Sequence, residues 1–379
     1  MTIWLAVWGQ RFRMSRQERT AVRIEQLGAS DDLFGVDASV FAEILELGGN
    51  AVSCGIRRVD AIDPAFYGGR GEKAILEVSY QADGSTKSTR FFVKRHCSRE
   101  QNEAVHYLHL TQAGAPIPRL FAYYSHPNEQ DIIVTEALDP FHVDDDPAFM
   151  SDREVMEPFV AATAGFCGTQ VSAEYRQMIA KKCDLVRDQI WPYRSKLQNM
   201  YEEIKRDPLH RSLKRKVPAV AEAAVQRLLA VACERMQTME RGLYHWDHKP
   251  RNMGWSSLQQ RHVIFDLEDT LWGPRFFNIG MWIGGDDGHE PKYASREQLA
   301  VSFLDLYNAA TGQTVSVETL LEECYPIWVA YKIETLLVYF GECGARPYRR
   351  RSIEPEQYRS EMQNKFLGLM DLLCGLQIS

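Results

Sequence analysis

The amino-acid sequence predicts an α+β protein in which a β-rich region precedes a mostly helical region. Two observations support this class. Between residues 56 and 136, short runs of β-branched and aromatic residues alternate with turns that contain glycine or aspartate. After residue 139, apolar residues recur at helical spacing, and proline or glycine stands at several of the expected helix limits.

Composition and charge are typical of a globular protein that does not bind nucleic acid. Of the 379 residues, 45% are hydrophobic and 25% are charged, which is ordinary for globular domains. The length suits two domains or two lobes, each with a sizeable core. A net charge of −7 argues against a basic surface for nucleic acid.

The cysteines and the N-terminus indicate a cytoplasmic protein. None of the eight cysteines forms a C-x-x-C pair, so we expect reduced thiols packed as small apolar groups. The first eight residues make a poor signal peptide, because no positive charge precedes them. No apolar run reaches the eighteen residues of a membrane span, so we expect no membrane contact.

The chain is expected to begin with a helical extension. The predicted division has three parts, residues 1–45, 46–137 and 138–379. In the first part, charged and apolar residues over 16–27 indicate one helix. Asp37 is expected to cap a second helix that runs to Leu47 and ends at Gly48-Gly49.

A glycine-rich segment lies between the first two predicted strands. The strands are expected over residues 56–62, 74–80 and 89–95, with a tight turn at Asp83-Gly84. Gly68, Gly69 and Gly71 would let backbone N–H groups approach a polyphosphate, because no Cβ intervenes. By itself such a segment is more typical of a flexible turn. Gly48-Gly49 with Gly55 is a second candidate.

Lys94 ends the third strand, and a helix over residues 99–113 follows it. A lysine at a strand end usually points to solvent. The alternative is that it binds nucleotide phosphates and pairs with a carboxylate of the next helix. Glu103 is the better partner and Glu100 the second. Strands over 120–124 and 131–135 come next, before Glu136-Ala137-Leu138.

The remaining chain is predicted to be helical except around residues 244–269. Ser151 and Glu154 form the pattern of a capping box. The expected helices cover 151–169, 174–207 with a break at Pro192, a stretch from Pro218 to Gly242, 295–310, 317–342 with a kink at Pro326, and 354–375.

Polar residues that could take part in catalysis cluster between residues 244 and 269. The pattern His-x-Asp-x-x-x-x-Asn is followed by Asp266 after a buried strand. Asp247 can orient a hydroxyl, Asn252 and Asp266 offer the oxygen ligands that Mg²⁺ prefers, and Lys249 can neutralise a phosphate. His245 is expected to brace the loop. Singly, each aspartate is more typical of a cap or turn; together with Lys94 and the glycines they indicate phosphoryl transfer.

From about Ile56 to Gly280 the chain resembles the aminoglycoside phosphotransferase and choline kinase group, relatives of the protein kinases. The resemblance implies a bilobal protein-kinase-like fold, with a small antiparallel-sheet N-lobe and a larger, mostly helical C-lobe. It also implies ATP or GTP, together with Mg²⁺, as cofactors. The segment from Gly273 to Gly280 matches the family segment that follows the metal-binding aspartate.

The resemblance carries family roles onto particular residues. By this resemblance, Lys94 binds the phosphates and Glu103 is its ion-pair partner. Asp247 is the catalytic base, and Asn252 and Asp266 are the metal ligands. The backbone of Glu136 to Leu138 contacts the adenine. An outer-shell metal contact falls to Glu268 or Asp269.

Three departures from the family pattern stand in the same segment. Trp246 replaces a glycine, Lys249 is typical of protein kinases, and Asn278 stands where the family generally has an aspartate that supports the catalytic loop. An asparagine can still form hydrogen bonds, so we expect an active enzyme. A protein-kinase role is disfavoured, because Gly273-Pro274 follows Asp266 without an activation segment of the usual length.

The acceptor is left open by the sequence. Acidic and aromatic candidates for its site would suit an amine, and these are Asp286, Asp287, Glu290, Glu322, Glu323, Glu334, Trp328, Tyr331 and Tyr339. Arg346 and Arg349 to Arg351 would suit an anion. The open hypotheses are a kinase for an aminoglycoside-like antibiotic or other amine-bearing alcohol, a kinase for a metabolic alcohol (sugar, nucleoside or amino alcohol), and a catalytically impaired nucleotide-binding pseudokinase.

Overall fold

The computed structural model describes residues 21–28, 34–47, 55–60, 71–82, 84–96, 103–126, 131–140, 150–286, 293–344 and 354–376. Contacts divide the chain into two compact units. Unit 1 comprises residues 1–108 and 119–137, and unit 2 comprises residues 109–118 and 138–379. Strands dominate the first unit and helices the second, so the predicted α+β class is confirmed.

Unit 1 is built on a six-stranded sheet. Its strands are β1 (Val22–Arg23), β2 (Gly55–Asp60), β3 (Gly71–Ala82), β4 (Ser85–His96), β5 (Leu120–Tyr124) and β6 (Ile132–Glu136). Their spatial order is β1-β5-β6-β4-β3-β2, and every neighbouring pair is antiparallel except β1 with β5. The helices are α1 (Ala38–Ile44) and α2 (Glu103–Gln112), whose last residues belong to unit 2.

Strand β4 lies between β3 and β6, and its two faces have different roles. Phe91 and Val93 are buried on one face, where the Phe91 ring meets the ring of Phe41 in α1 at 5.3 Å. Lys94 and His96 are also buried, and they lie on the opposite face because side chains alternate along a strand. Apolar packing and polar chemistry are therefore separated by the strand itself.

Two helix predictions near the N-terminus are corrected. The helix expected over 16–27 is wrong for its described part, because Val22–Arg23 is a strand and Ile24 N–H donates to Tyr123 O at 2.8 Å. Pairing with β5 outweighs the local helical pattern there. Helix α1 ends at Ile44 and not at Leu47, and Asp37 is its N-cap without a side-chain capping bond. Gly48-Gly49 lies outside the described residues.

Unit 2 is mostly helical and contains two small sheets. Its helices are α3 (Arg153–Cys167), α4 (Ala173–Lys182), a π-helical turn (Leu185–Ile190), α5 (Tyr193–Arg206), α6 (Arg211–Lys216), α7 (Ala221–Thr238), α8 (Phe277–Ile283), α9 (Arg296–Thr311), α10 (Val317–Glu342) and α11 (Pro355–Gly375). Its strands are β7 (Asp139–Pro140), β8 (Arg241–His245), β9 (Met253–Ser256), β10 (Arg261–Ile264) and β11 (Thr270–Pro274). The sheet orders are β10-β9-β7 and β11-β8.

Three predicted helix limits in unit 2 are wrong. Asp152, and not Ser151, is the N-cap of α3, and its side chain accepts the N–H of Glu154. Helix α7 begins at Ala221, whose N–H donates to the carbonyl of Pro218, so the proline precedes the helix. Gly242 does not end α7; it lies in β8, where a Cβ would stand 2.9 Å from Arg275 Cα.

Helix α10 lies in the main apolar cluster of unit 2. It packs against α7, α8 and α11 and contributes Ile327, Trp328, Ile333 and Leu336 to that cluster. The sequence predicted both of its limits. Among the residues that the structure describes, no helix is long and apolar enough to cross a membrane.

Candidate active site

The predicted catalytic loop follows β8 in unit 2. Strand β8 ends at His245, which pairs with Thr270 of β11, and a 3₁₀ turn at Pro250–Asn252 leads into β9. The hairpin of β9 and β10, with the polar turn expected between them, then brings the chain to Asp266. The two antiparallel strand pairs β8–β11 and β9–β10 thus flank the loop.

The carboxylate of Asp247 is oriented by two donors from its own loop. Lys249 Nζ lies 2.5 Å from Oδ1, and Asn252 Nδ2 lies 3.1 Å from Oδ2 and 2.7 Å from the backbone carbonyl of Asp247. The Asp247 side chain is nevertheless 44% exposed. A carboxylate held in one rotamer with an open side is suited to accept a hydroxyl proton.

Asn252 and Asp266 are joined through neighbouring backbone. The carbonyl of Asn252 accepts the N–H of Phe265, the residue before Asp266, at 3.0 Å. Asp266 itself adopts a left-handed conformation with φ of 64°. A non-glycine residue pays about 1 kcal/mol or more for this backbone, so surrounding contacts must hold it. One of them is His245 Nε2, 2.6 Å from the Asp266 carbonyl, which agrees with the bracing role expected of His245.

Helix α8 supports the loop through Phe277 and Asn278. Asn278 Nδ2 donates to the carbonyl of His245 at 2.6 Å, and its Oδ1 accepts the His245 N–H at 3.0 Å. The ring of Trp246 is stacked on Phe277, with centroids 5.7 Å apart and planes at 18°. Two of the three departures from the family pattern, Trp246 and Asn278, therefore lie in defined contacts close to Asp247 in the loop.

Lys94 and Glu103 form a buried ion pair within unit 1. Lys94 Nζ lies 2.8 Å from Glu103 Oε2, and His96 Nε2 lies 2.8 Å from the same oxygen. Burial acts to raise the pKa of Glu103, but the charge of Lys94 and the close contact with His96 hold it below its ordinary value. Glu103 is therefore ionised at neutral pH. The predicted pairing of Lys94 with Glu103 is present, and Glu100 lies outside the described residues.

The backbone N–H and carbonyl of Glu136 both contact residues of unit 1. Its N–H donates to Arg119 O at 3.1 Å, its carboxylate accepts the N–H of Arg119 at 2.8 Å, and its carbonyl lies 3.3 Å from Thr135 Oγ1. The adenine contacts expected of Glu136 to Leu138 stay a prediction. Of the predicted glycines, Gly71 begins β3 opposite His96, and Gly68 and Gly69 lie outside the described residues.

Two of the predicted acceptor residues on α10 have distinct environments. Burial raises the pKa of Glu334, against a hydrogen bond from Tyr193 and the charge of Lys196, and the charge of Asp247 raises it further. Glu334 is therefore electrostatically linked to the proposed base. Glu323 instead accepts two hydrogen bonds from one edge of the Arg275 guanidinium group, from Nη2 at 2.6 Å and from Nε at 3.0 Å, and so forms a structural ion pair with Arg275.

Other predicted acceptor residues are partly accounted for. Trp328 is buried and Tyr331 is partly buried, and Lys332 Nζ lies 5.6 Å and 5.9 Å from their ring centroids. Asp286 is exposed. Asp287, Glu290, Arg346 and Arg349 to Arg351 lie outside the described residues.

Comparison with protein families decides the assignment. The model of the phosphotransferase enzyme family matches residues 79–313, more than half of the chain. The chain belongs to this family. The predicted enzyme class, a phosphotransferase, is thereby confirmed.

Solved structures show the fold of this phosphotransferase. An ethanolamine kinase from Plasmodium vivax matches with a TM-score of 0.51 and 10% identity, covering 83% of this chain and 82% of that one. A choline kinase from Cryptosporidium parvum matches with a TM-score of 0.52 and 11% identity, covering 89% and 96%. The predicted kinase-like fold is confirmed. No curated protein sequence matches the chain significantly.

Two residues of this phosphotransferase were missed from the sequence. His248 is buried, stacks on Phe159 and lies with Nε2 2.6 Å from Thr163 Oγ1. Since that hydroxyl donates to Phe159 O at 2.6 Å, the imidazole is the donor to Thr163. Burial, and then the charge of His245, hold the pKa of His248 well below its usual value. Lys182 Nζ donates to Glu268 O at 2.5 Å, beside Asp266; no motif marks either residue.

Proposed function

We propose that the chain transfers the γ-phosphoryl group of ATP, or of GTP, to the hydroxyl group of a small amine-bearing alcohol. The orientation of Asp247 carries this proposal. Both of its carboxylate oxygens face a donor from the loop, while the side chain stays accessible to an acceptor. Membership in the phosphotransferase family supports the same reaction class.

Asp247 is proposed as the group that receives the acceptor proton. The acceptor oxygen attacks the γ-phosphorus, the bond from phosphorus to the bridging oxygen of the nucleoside diphosphate breaks, and the hydroxyl proton passes to Asp247. Lys249, 2.5 Å from Oδ1, keeps the carboxylate in place and offsets negative charge that develops on the phosphoryl oxygens. Positioning and charge stabilisation of this kind account for most of the catalysis in phosphoryl transfer.

The donor atoms of Asn252 and Asp266 fit a magnesium ion. Nδ2 of Asn252 is used on Asp247, so Oδ1 is the atom that remains for a cation, and Asp266 adds a carboxylate. Both are the hard oxygen ligands that Mg²⁺ takes. When bound, the ion would neutralise the phosphate charge. Asn252 and Asp266 would hold it, and Glu268 or Asp269 would contribute from the following turn.

Nucleotide phosphates are proposed to bind Lys94, with Glu103 holding the ammonium. A lysine has three N–H donors, so one can stay on Glu103 while the others reach phosphate oxygens. The glycines at 68, 69 and 71 are proposed to supply backbone donors to the same phosphates. The backbone of Leu138, with Glu136 before it, is proposed to meet the base.

The acceptor is proposed to carry an amine because Glu334 of α10 is a partly buried carboxylate, near enough to Asp247 for the two charges to interact. An ammonium group would pair with its carboxylate, and nearby aromatic rings on α10 would add cation–π attraction. The intact contacts of Trp246 and Asn278 disfavour an impaired pseudokinase.

A phosphoryl-transfer screen tests the proposal. The full chain is incubated with γ-labelled ATP or GTP and Mg²⁺ against panels of aminoglycosides, amino alcohols, sugars and nucleosides. We expect labelled product from an amine-bearing alcohol, and we expect Asp247→Ala to abolish it while nucleotide binding persists. Labelling confined to sugars or nucleosides would favour a kinase for a metabolic alcohol without an amine. Nucleotide binding with no product from any panel would contradict the enzyme proposal.

A further inference from the structure

Glu103 contacts two nitrogen donors, of which the sequence predicted only Lys94. Lys94 and His96 are two positions apart on β4, so both side chains point towards the start of α2. Lys94 Nζ and His96 Nε2 each lie 2.8 Å from Oε2 of Glu103, in close polar contacts whose angles depart from those of an ideal hydrogen bond. All three side chains are at least 95% buried.

The backbone of His96 is held from both sides of the sheet. Its N–H donates to Asp131 O at 3.0 Å, and its Cα partner on β3 is Gly71. Asp131 is buried as well, and its carboxylate accepts the N–H of Ala104, one residue after Glu103. The imidazole and the start of α2 are thus fixed to the same part of the sheet.

We propose that His96 is a positioning residue for nucleotide binding, which it assists by donating its Nε2–H to the carboxylate of Glu103. A glutamate has three rotatable side-chain bonds, and a flexible lysine alone restrains its carboxylate poorly. An imidazole has only two such bonds, and here its backbone is fixed. With Glu103 held by His96, the ammonium of Lys94 keeps one position relative to the bound phosphates. The inference rests on the proposed phosphate-binding role of Lys94.

A histidine that only filled space in the core would behave differently. Its replacement by an apolar ring of similar size would change stability, but it would not act through Glu103. A positioning histidine acts through the carboxylate, so its effect on nucleotide affinity must depend on Glu103 being present. A double-mutant cycle separates the two roles.

The experiment measures the dissociation constant of the full chain for a magnesium complex of a non-hydrolysable ATP analogue by calorimetry. His96→Phe removes the donor and is expected to weaken binding about tenfold, or about 1.4 kcal/mol. His96→Gln is the matched control, because its amide Nε2 can donate from a similar position, and it is expected to stay within about twofold of wild type. In a Glu103→Gln background, His96→Phe is expected to change binding by less than about twofold.

The remaining outcomes separate failure of the positioning role from failure of the proposed function. If Lys94→Ala and Glu103→Gln weaken binding but His96→Phe does not, the positioning role is overturned and the proposed function stands. Equal losses in His96→Phe and His96→Gln, or losses that add to that of Glu103→Gln, also overturn it. If the wild-type chain does not bind the analogue, the proposed function fails and the inference with it.

A second measurement covers the case in which His96→Phe does not fold. In ¹⁵N-histidine-labelled wild-type chain, the proposal requires an exchange-protected imidazole Nε2–H that disappears in His96→Gln and shifts in Glu103→Gln. A His96 imidazole whose proton resides on Nδ1, or whose Nε2–H is insensitive to Glu103→Gln, overturns the proposal.

Discussion

Asn278 makes two hydrogen bonds to the backbone of a single residue, His245. Nδ2 donates to the His245 carbonyl at 2.6 Å, and Oδ1 accepts the His245 N–H at 3.0 Å. An amide offers one donor group and one acceptor on adjacent atoms, whereas an ionised carboxylate offers acceptors only. The neutral residue therefore fits the backbone two positions before Asp247, at a place where the family generally has an aspartate.

Asn278→Asp is expected to destabilise the protein at neutral pH by about 1–3 kcal/mol, because the buried His245 carbonyl loses its donor. A protonated acid can donate, and burial raises its folded-state pKa above the unfolded value of about 3.9. The stability of the variant should therefore be greatest at low pH and be lost as the pH rises through the folded-state pKa. Urea unfolding at pH 5 and pH 7.5 measures this.

The control for that substitution is Asn278→Ala, which removes both hydrogen bonds and adds no titratable group. It is expected to be destabilised to a similar extent at both pH values. Unchanged stability of Asn278→Asp at pH 7.5 would contradict the interpretation of the two contacts.

His248 is expected to make stability fall at mildly acidic pH. Its pKa is held well below the ordinary value by burial, so the folded chain binds the proton more weakly than the unfolded chain. The contribution of His248 to stability is then fully present above the unfolded-state pKa of about 6.5. It is lost as the pH falls below that value, by up to about 1.4 kcal/mol per pH unit. Urea unfolding between pH 5.5 and pH 7.5 gives the slope.

The matched control is His248→Gln, which keeps an N–H donor towards Thr163 but cannot titrate. The pH slope of its unfolding free energy should be shallower than that of wild type, while the other histidines contribute equally to both. Identical slopes would show that His248 titrates normally in the folded chain.

The sequence predicted the features that depend on neighbouring residues. The start of α10 follows from a local signal, since the side chain of Ser316 caps its first turn. The pairing of Lys94 with Glu103 also follows from a strand that leads directly to a helix. Such signals need no knowledge of the distant chain.

Features that depend on distant residues were not predicted. Strand β1 exists because Val22 pairs with Ala122, and His248 is held by Thr163, 85 positions earlier. The left-handed backbone of Asp266 has no sequence mark, because only its surroundings maintain it. The shift of the α3 cap from Ser151 to Asp152 shows that two adjacent capping residues cannot be ranked by type alone.

Lys249→Ala is expected to lower kcat by about 10²–10³, because Asp247 loses a donor 2.5 Å from Oδ1 and the phosphoryl group loses a nearby cation. Nucleotide affinity should change by less than about threefold, since Lys94 and Glu103 remain. Steady-state kinetics with the acceptor found in the screen, and calorimetry with the nucleotide, measure the two effects.

Lys181→Ala is the control for Lys249→Ala, because Lys181 is an exposed lysine of α4 in the same unit. Its kinetics should match wild type within about twofold. A kcat for Lys249→Ala equal to that of Lys181→Ala would remove Lys249 from the proposed mechanism.

Glu334→Gln is expected to raise the KM of an amine-bearing acceptor about tenfold and to leave the KM of the nucleotide unchanged. Burial raises the pKa of Glu334, and the hydrogen bond from Tyr193 opposes that rise. In wild type the acceptor KM should therefore fall as the pH increases and Glu334 ionises, and this dependence should be absent in Glu334→Gln. Initial rates between pH 5 and pH 8.5 measure it.

Tyr193→Phe sharpens this prediction, because it keeps the carboxylate but removes the hydroxyl that favours its ionised form. The fall in acceptor KM with pH should persist in this variant but occur at higher pH. A general loss of acceptor packing would instead raise the KM by the same factor at every pH. If the acceptor KM depends on pH in the same way in wild type, Tyr193→Phe and Glu334→Gln, the amine does not pair with Glu334. The aromatic and cationic residues around Trp328 and Lys332 would then be the acceptor contacts to test.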